Sequence, residues 1–214
     1  MKNISVYNIY LGQEETIKTP KKEFKSSYRK KAITQDEYLS DIGFLNDSQS
    51  DKKYHGGVNR ALCVYPYATY EYFKKEHDLD LKDCSFGENI TILNYDDSDI
   101  CLGDQFSFED ALVEVTQPRQ PCSHISNITG IKNLTALTVK NLKTGFYLRV
   151  LKEGTIKKDS SLQLIKRVHE GITIEFINKC YFDAKNNQEN IKKVLACDEL
   201  SINYREELER KLKS

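Results

Sequence analysis

The chain of 214 residues is long enough for one compact domain, or for one domain with a small appendage, but too short for a multi-domain enzyme. Its 32 basic and 32 acidic residues give a formal net charge of 0, so no overall basic field would attract nucleic acid or anionic lipid. Hydrophobic residues make up 39% of the chain and charged residues 30%, which predicts a folded core and excludes a largely disordered chain.

The N-terminal segment, Met1 to Gln13, interleaves polar with apolar residues and so lacks the apolar run of a secretory signal. No stretch approaches the ~20 apolar residues that span a bilayer. We therefore expect a cytoplasmic protein that binds neither nucleic acid nor membrane. The six cysteines should then be reduced. They form no Cys-x-x-Cys pair and have no His at zinc-finger spacing, so most should be small core residues.

Basic residues dominate the stretch from Lys18 to Lys31, which holds seven Lys or Arg residues. Such a stretch is most simply a solvated face or a mobile loop. Ser27, Arg29, Lys30 or Lys31 could nevertheless reach a phosphate group of a ligand.

The segment from Tyr54 to Arg60 contains a pair of glycines. Gly56 and Gly57 permit positive φ angles and close approach of a ligand, and successive backbone N–H groups in such a turn can hold an anion. Arg60 would add bidentate positive charge to this turn. The alternative is an ordinary glycine turn before a strand, with His55 exposed to solvent.

A helix is predicted from about Pro66, which can occupy the first turn because its missing N–H is not needed there. Tyr67, Tyr70 and Phe73 are spaced three apart and supply an apolar side. Lys74-Lys75 favours the last turn, where positive charge is stabilised.

The segment from Phe86 to Asn89 leads into a strand-like run. A glycine between an aromatic residue and a carboxylate–amide pair could bring the backbone, Glu88 and Asn89 to a shared pocket. It could equally form a bulge or a tight turn.

Most of the first two thirds of the chain is predicted to form short strands separated by turns. The strand-like runs are Ile90–Ile92, Gln105–Phe108, Leu112–Thr116 and Phe146–Val150. Several short strands with only brief helical patterns between them favour a mainly β fold, either a barrel or a sandwich, over a doubly wound sheet.

The loop from Gln117 to Cys122 is predicted to be stiff, because two prolines fix φ and restrict the residues before them. It holds the Cys122 thiol close in sequence to Arg119 and His124. A nearby cation favours the thiolate, which is the form that attacks substrates or binds soft metals. The alternative is a core cysteine that follows an edge-strand proline.

The chain changes character after about Lys166, where helical patterns replace strand patterns. Two stripes recur at helical spacing: Ile191, Val194 and Leu195, then Tyr204, Leu208 and Leu212. Asn186 to Glu189 offers an N-cap with an acidic residue three positions on. Ile172 to Phe182 fits a strand or a helix. We therefore predict two domains, a β domain at 1–166 and a small helical domain at 167–214 that packs on the β domain or on a partner.

Several ordered motifs together resemble the MOSC family, the domain related to the C-terminal part of molybdenum-cofactor sulfurases, and most closely its YiiM-like branch. The motifs are Asp47–Asp51, His55-Gly56-Gly57, Arg60-Ala61, Tyr65-Pro66, Phe86–Asn89, Gly103-Asp104, Gln117–Cys122 and Gly145–Val150. The tail from about Arg167 is similar to the three-helix domain of that branch, so the resemblance covers nearly the whole chain. It also favours a helix at Ile172 to Phe182.

The resemblance implies a closed β-barrel, similar to the barrel domain of pyruvate kinase, with a C-terminal three-helix domain. It implies molybdenum cofactor, with Cys122 as the protein ligand to molybdenum and the catalytic residue. It also associates the chain with pyridoxal phosphate binding. The cofactor contacts that it carries over are His55, Gly56, Gly57, Arg60, Glu88, Asn89 and Arg119.

The activity implied by the resemblance is that of an oxidoreductase for detoxification, which reduces N-hydroxylated purines such as 6-hydroxylaminopurine to amines. Such an enzyme needs a small-molecule substrate and electrons from a separate donor protein, and it could be a homodimer. Two other functions stay open. Cys122 could carry a persulfide and pass sulfur to an acceptor, or the chain could be a non-catalytic binding module whose helical tail docks a reductase or a second copy.

Overall fold

The computed structural model describes residues 3–19, 23–48 and 56–213. These residues form thirteen strands and six α-helices. The strands are β1 (Asn3–Leu11), β2 (Glu15–Lys18), β3 (Glu23–Ser26), β4 (Lys31–Ala32), β5 (Glu37–Ser40), β6 (Gly43–Phe44), β7 (Leu62–Pro66), β8 (Ile90–Ile92), β9 (Gln105–Phe108), β10 (Ala111–Pro118), β11 (Phe146–Lys152), β12 (Gly154–Ile156) and β13 (Ser161–Lys166). The α-helices are α1 (Tyr67–His77), α2 (His124–Thr129), α3 (Leu134–Lys140), α4 (Ile174–Phe182), α5 (Gln188–Leu195) and α6 (Ile202–Leu212). Short 3-10 helices lie at Val58–Arg60 and Ala184–Asn186.

Seven strands form a closed barrel in the order β13-β9-β10-β11-β7-β8-β1. The barrel closes because β1 also pairs with β13, with Ile4 opposite Leu162. Neighbouring strands are antiparallel except for β7 and β8, which are parallel. Closure removes the free sheet edges that would otherwise expose unpaired backbone groups. The predicted mainly β fold with a closed barrel is confirmed.

The barrel interior is filled by apolar side chains that alternate along the strands. In β9 the buried residues are Phe106 and Phe108, and in β10 Val113 and Val115 pack in the same core. Alternation with a period of two places every second side chain on the inner face, and this is why these runs were recognisable as strands.

The basic stretch from Lys18 to Lys31 is solvated, as predicted, at most of its described basic side chains, but it is a hairpin and not a loop. Its described part forms the hairpin of β2 and β3, with Ile17 opposite Phe24, and it continues into β4. Lys30 is buried instead of solvated, because it pairs with Asp47. The prediction was wrong there, since a lysine can be buried when a carboxylate from a distant segment reaches it.

Helix α1 was predicted correctly, and its buried Tyr70 and Phe73 pack against outward-facing residues of β7 and β11, such as Tyr65, on the outside of the barrel wall. In the same cluster as Phe73, the rings of Tyr65 and Phe86 stack in parallel with centroids 4.2 Å apart. Helices α2 and α3 were not predicted. They are short and contain several β-branched residues, so their helical state depends on tertiary packing more than on propensity. Ile125 of α2 and Leu134 of α3 supply that packing, because both lie in the cluster that contains the rings of Tyr65, Phe73 and Phe86.

Helices α4, α5 and α6 form the helical domain, as the tail was predicted to do. Their apolar faces share one cluster with Leu102 of the barrel, so the tail packs on the β domain. Helix α4 begins after Thr173, whose side chain accepts a hydrogen bond from the Phe176 N–H, which settles the strand-or-helix ambiguity. The predicted N-cap at Asn186 is wrong, because α5 begins after Asn187 and that residue forms no side-chain cap. The boundary between 166 and 167 stays a prediction.

The turn before β11 is held by three hydrogen bonds from the side chains of Asp97 and Asn178. Asp97 Oδ2 accepts hydrogen bonds from the Thr144 N–H at 2.9 Å and the Gly145 N–H at 3.2 Å. The Asn178 side chain of α4 donates to Thr144 Oγ1 at 2.7 Å. Burial, together with the nearby charge of Asp96, raises the pKa of Asp97 from its ordinary value of 3.8 to about 7. Asp97 Oδ1 is buried without a hydrogen-bond partner in the described structure.

No helix among the described residues is both long and apolar enough to cross a membrane.

We expect Gly145→Ala to destabilise the protein by roughly 3 kcal/mol or more, because two costs combine. Gly145 has φ +67°, and an added Cβ would lie 2.4 Å from the Val64 carbonyl oxygen. The matched control is Gly130→Ala, where φ is +76° and nothing lies within 4 Å. The free energy of unfolding of that variant should fall by only ~1–2 kcal/mol, which is the cost of the backbone conformation alone. Urea unfolding measures both; equal losses would contradict the role of the close contact.

We expect Asp97→Asn to flatten the dependence of stability on pH. Between about pH 4 and 7 the folded protein keeps a proton on Asp97 that the unfolded chain has released. The free energy of unfolding of the wild type should therefore fall as the pH rises from 4 to 7. The fall should be at most about 4 kcal/mol relative to the variant. Unfolding curves for both proteins from pH 4 to 8 test this, and parallel pH profiles would contradict it.

Candidate functional site

A cleft of about 290 Å³ opens at one side of the barrel, between the β2–β3 hairpin and the proline-rich loop. Its lining comes from separate parts of the chain: Phe24, Lys25, Ser26, Ser27, Tyr28, Lys30, Asp47, Ser48, Arg60, Cys63, Gly87, Asn89, Arg119, Cys122, His124 and Tyr147. Of the eight site residues predicted from the sequence, this cleft brings together Arg60, Asn89, Arg119 and Cys122.

The Cys122 side chain lines the cleft and is half-buried, unlike the other five cysteines, which are all buried. None of the six is in a disulfide. The loop leaves β10 at Pro118, and the Cys122 carbonyl oxygen then accepts hydrogen bonds from Thr135 Oγ1 at 3.1 Å and from the Ile125 N–H at 3.2 Å. Helices α2 and α3 therefore fix the backbone at Cys122 although the sequence did not reveal them.

Arg119 is the most unusual group of the cleft, because it is 5% exposed and yet two of its nitrogens have no partner among the described residues. Its Nε and Nη1 find no hydrogen-bond acceptor among the described residues. Its guanidinium carbon lies 5.4 Å from the centre of the Tyr65 ring, which offsets part of the desolvation cost. A buried cation with unmatched donors fits an anionic or strongly hydrogen-bonding ligand at this position.

Arg60 also lines the cleft, beside the Tyr147 ring, with its guanidinium carbon 5.9 Å from the ring centre. Its Nε donates to Gln117 Oε1 at 3.2 Å, so the 3-10 helix at Val58–Arg60 is tied to the proline-rich loop. The role of Arg60 towards a ligand stays a prediction.

Asn89 reaches the cleft as part of a buried network with Lys30 and Asp47. Asp47 Oδ2 accepts from the Asn89 side-chain N–H at 2.7 Å and from Lys30 Nζ at 2.5 Å. Asp47 Oδ1 also accepts from the Gly12 N–H at 2.7 Å. Lys30 is thus neutralised within the protein, whereas Arg119 is not. The cleft lining has more positive than negative groups, since Asp47 is its one carboxylate against Lys25, Lys30 and two arginines.

Glu88, Gly56 and Gly57 do not line the cleft. Glu88 is fully buried, where it accepts hydrogen bonds from the Tyr70 hydroxyl, from Thr91 Oγ1 and from the Phe86 N–H. Burial raises its pKa above the ordinary value. Glu88 therefore supports the turn at Gly87. Gly57 has φ +91°, as the glycine-turn interpretation requires. His55 lies outside the described residues.

The aromatic walls of the cleft were not predicted from the sequence. The rings of Phe24 and His124 stack with centroids 4.6 Å apart, and the rings of Tyr28 and Tyr147 form further surface. These residues come from β3, α2, β11 and the segment after β3, so no local pattern could have joined them. Flat aromatic surfaces suit a planar ligand such as a pterin or a purine.

Two thiols face this cleft, and their surroundings differ. Burial raises the pKa of Cys63 to about 11, so that thiol stays protonated at neutral pH. Cys122 is the more exposed of the two and lies beside Arg119 in sequence. The cleft therefore favours Cys122 as the thiol that meets a ligand.

Comparison with protein families assigns residues 51–163 to the MOSC domain and residues 172–214 to the YiiM-like, 3-alpha helix domain. The first match covers more than half of the chain, which therefore belongs to the MOSC domain family. The resemblance drawn from the sequence motifs is confirmed, including its YiiM-like branch.

Similar proteins support the same assignment. Uncharacterized protein YflK of Bacillus subtilis is 34% identical over 202 residues, which cover 94% of this chain and 91% of YflK. A protein of Gibberella moniliformis named Reductase is 31% identical over 134 residues, which cover 61% of this chain but only 24% of that protein. The crystal structure of YiiM from Geobacillus stearothermophilus has a TM-score of 0.82 and 28% identity, covering 98% of this chain and 99% of that one.

We expect Arg119→Met to stabilise the ligand-free protein by ~1–3 kcal/mol, because it removes a buried charge with unmatched donors. The matched control is Arg149→Met. Arg149 Nε donates to Glu114 Oε1 at 2.8 Å, so its loss leaves a buried carboxylate without its cation and should destabilise the protein. Thermal unfolding of both variants shows whether each substitution stabilises or destabilises the protein. Destabilisation by Arg119→Met as large as that by Arg149→Met would mean that Arg119 is a structural residue.

Proposed function

We propose that the protein is an oxidoreductase that uses molybdenum cofactor, with Cys122 as the protein ligand to molybdenum, to reduce N-hydroxylated bases to amines. The observation that carries the proposal is the cleft in which Cys122 lies with the buried, unmatched guanidinium of Arg119. Membership of the MOSC domain family and the reductase name of one relative support an oxidoreductase in general terms.

The residues of the cleft fit the chemical groups of such a cofactor. Its phosphate would meet Arg119 and Arg60, which supply several N–H donors in a planar fork. Its pterin ring would lie against the aromatic walls. The described residues form no group of three or more His, Cys, Asp or Glu side chains that could hold a metal ion. A metal at Cys122 would therefore take its other ligands from the cofactor itself, and a thiolate suits such a soft centre.

When bound, molybdenum supplies the two-electron redox centre at which the N–O oxygen of the substrate is removed. The balanced reaction converts R–NHOH, two electrons and two protons into R–NH2 and water. The protein holds the thiol in a half-buried position, orients it through a stiff loop, and limits water in the cleft with aromatic side chains. The electrons come from a separate donor protein.

An N-hydroxylated base is the substrate class that best matches the cleft. A purine ring is planar and presents both apolar faces and hydrogen-bonding edges, and Tyr28, Tyr147 and the Phe24–His124 stack offer flat surfaces for such a ring. The excess of positive side chains suits a cofactor phosphate more than a cationic substrate.

The decisive experiment compares wild type with Cys122→Ala and with Cys63→Ala, all purified from a host that makes the cofactor. We expect near-stoichiometric molybdenum and pterin in wild type, loss of molybdenum in Cys122→Ala, and retention in Cys63→Ala, whose thiol lines the same cleft. Elemental analysis and pterin fluorescence after oxidation measure both. Reduction of 6-hydroxylaminopurine by a reduced viologen dye should follow the molybdenum content.

Absence of molybdenum and pterin from all three proteins would contradict the cofactor proposal. A cyanide-labile sulfur on Cys122, detected by mass spectrometry of the freshly isolated protein, would then favour the persulfide carrier instead. Equal molybdenum in wild type and in Cys122→Ala would keep the cofactor but reject Cys122 as its ligand.

A further inference from the structure

The loop that carries Cys122 has one face on the cleft and another on the helical domain. Arg119 and Cys122 line the cleft, whereas Gln117 and Gln120 form hydrogen bonds with side chains of the helical domain. We propose that the helical domain clamps this loop, and that Glu207, through Gln120, is a positioning residue for Cys122. The inference rests on the proposed function, in which Cys122 is the metal ligand.

The first half of this clamp is a closed group of three polar side chains. Gln120 Nε2 donates to Glu207 Oε2, and it also donates to the Tyr181 hydroxyl oxygen at 2.9 Å. The Tyr181 hydroxyl in turn donates to the same Glu207 oxygen at 2.7 Å. Hydrogen bonds to a carboxylate are stronger than those between neutral groups. Glu207 of α6 is therefore the acceptor on which this half depends.

The second half joins the start of α6 to the end of β10. Gln117 Oε1 accepts a hydrogen bond from Ser201 Oγ at 2.5 Å and another from Arg60 Nε at 3.2 Å. The Ser201 N–H also donates to the Thr116 carbonyl oxygen at 3.2 Å. Ser201 is the N-cap of α6, so the helix end, the loop and the cleft arginine meet at one buried glutamine.

The backbone of the loop needs such side-chain contacts. Pro118 and Pro121 have no N–H, so neither can donate a backbone hydrogen bond. The Arg119 N–H donates to the Gly145 carbonyl oxygen at 3.0 Å, which holds the middle of the loop. Gln117 and Gln120 hold it on both sides of that point. The cleft lining includes no residue of the helical domain, and Gln117 and Gln120 are direct contacts by which this domain acts on the loop that carries the thiol.

The test measures how fast iodoacetamide alkylates each cysteine of the cofactor-free protein at one fixed pH, by mass spectrometry of its peptides. Glu207→Ala should raise the Cys122 rate by about fivefold to tenfold, because the freed loop exposes the half-buried thiol more often. Glu207→Gln keeps an acceptor oxygen and should restore a rate near that of wild type. Glu206→Ala removes an exposed charge from the same helix and should leave the rate unchanged.

An unchanged Cys122 rate in Glu207→Ala would overturn the proposal. So would an equal rise for all six cysteines, which signals general loosening. If Glu207→Ala does not fold, Gln120→Ala removes the same contact from the loop side and carries the same expected outcomes. The alkylation rate does not depend on molybdenum, so the clamp and the cofactor proposal can fail separately. Full molybdenum loading together with an unchanged alkylation rate in Glu207→Ala would reject only the clamp.

Discussion

The side-chain oxygen of Gln117 joins the three parts of this molecule, because it accepts hydrogen bonds from Arg60 of the cleft and Ser201 of the helical domain while its own backbone belongs to the barrel. Gln117 is fully buried, so each of these bonds forms away from water. A buried amide that lost its partners would carry the full cost of desolvation. Gln117 is therefore one buried point at which the barrel, the cleft and the helical domain are joined.

The closed barrel makes such an arrangement possible. Its strands are fixed on both sides by neighbours, so the loops at their ends start from rigid positions. The cleft is built from these loops, from β3 and from one residue each of β7 and β11. The barrel itself supplies almost no chemistry, as expected for a fold that carries its functional groups at its rim.

The positive side chains of the cleft differ in whether the protein itself neutralises them. Lys30 and Asp47 neutralise each other and bind Asn89, so they form a fixed part of the wall. Arg119 is buried without such compensation among the described residues, so its donors are left for an acceptor from outside the protein. Two thiols face the same space, but burial keeps Cys63 protonated and leaves Cys122 as the accessible one. Selectivity between chemically identical side chains thus arises from their surroundings.

The sequence by itself determined the elements whose signals are local. Alternation in Gln105–Phe108 and apolar spacing in Tyr67–Phe73 and Tyr204–Leu212 marked strands and helices, and two prolines marked the stiff loop before Cys122. Only the tertiary structure decided which side chains meet. Lys30 is buried because it pairs with Asp47. Glu88 is buried because it accepts hydrogen bonds from Tyr70 and Thr91. Gln120 binds Glu207, which lies in a helix far along the chain. Most of these contacts join residues that are distant in sequence, so no local pattern encodes them.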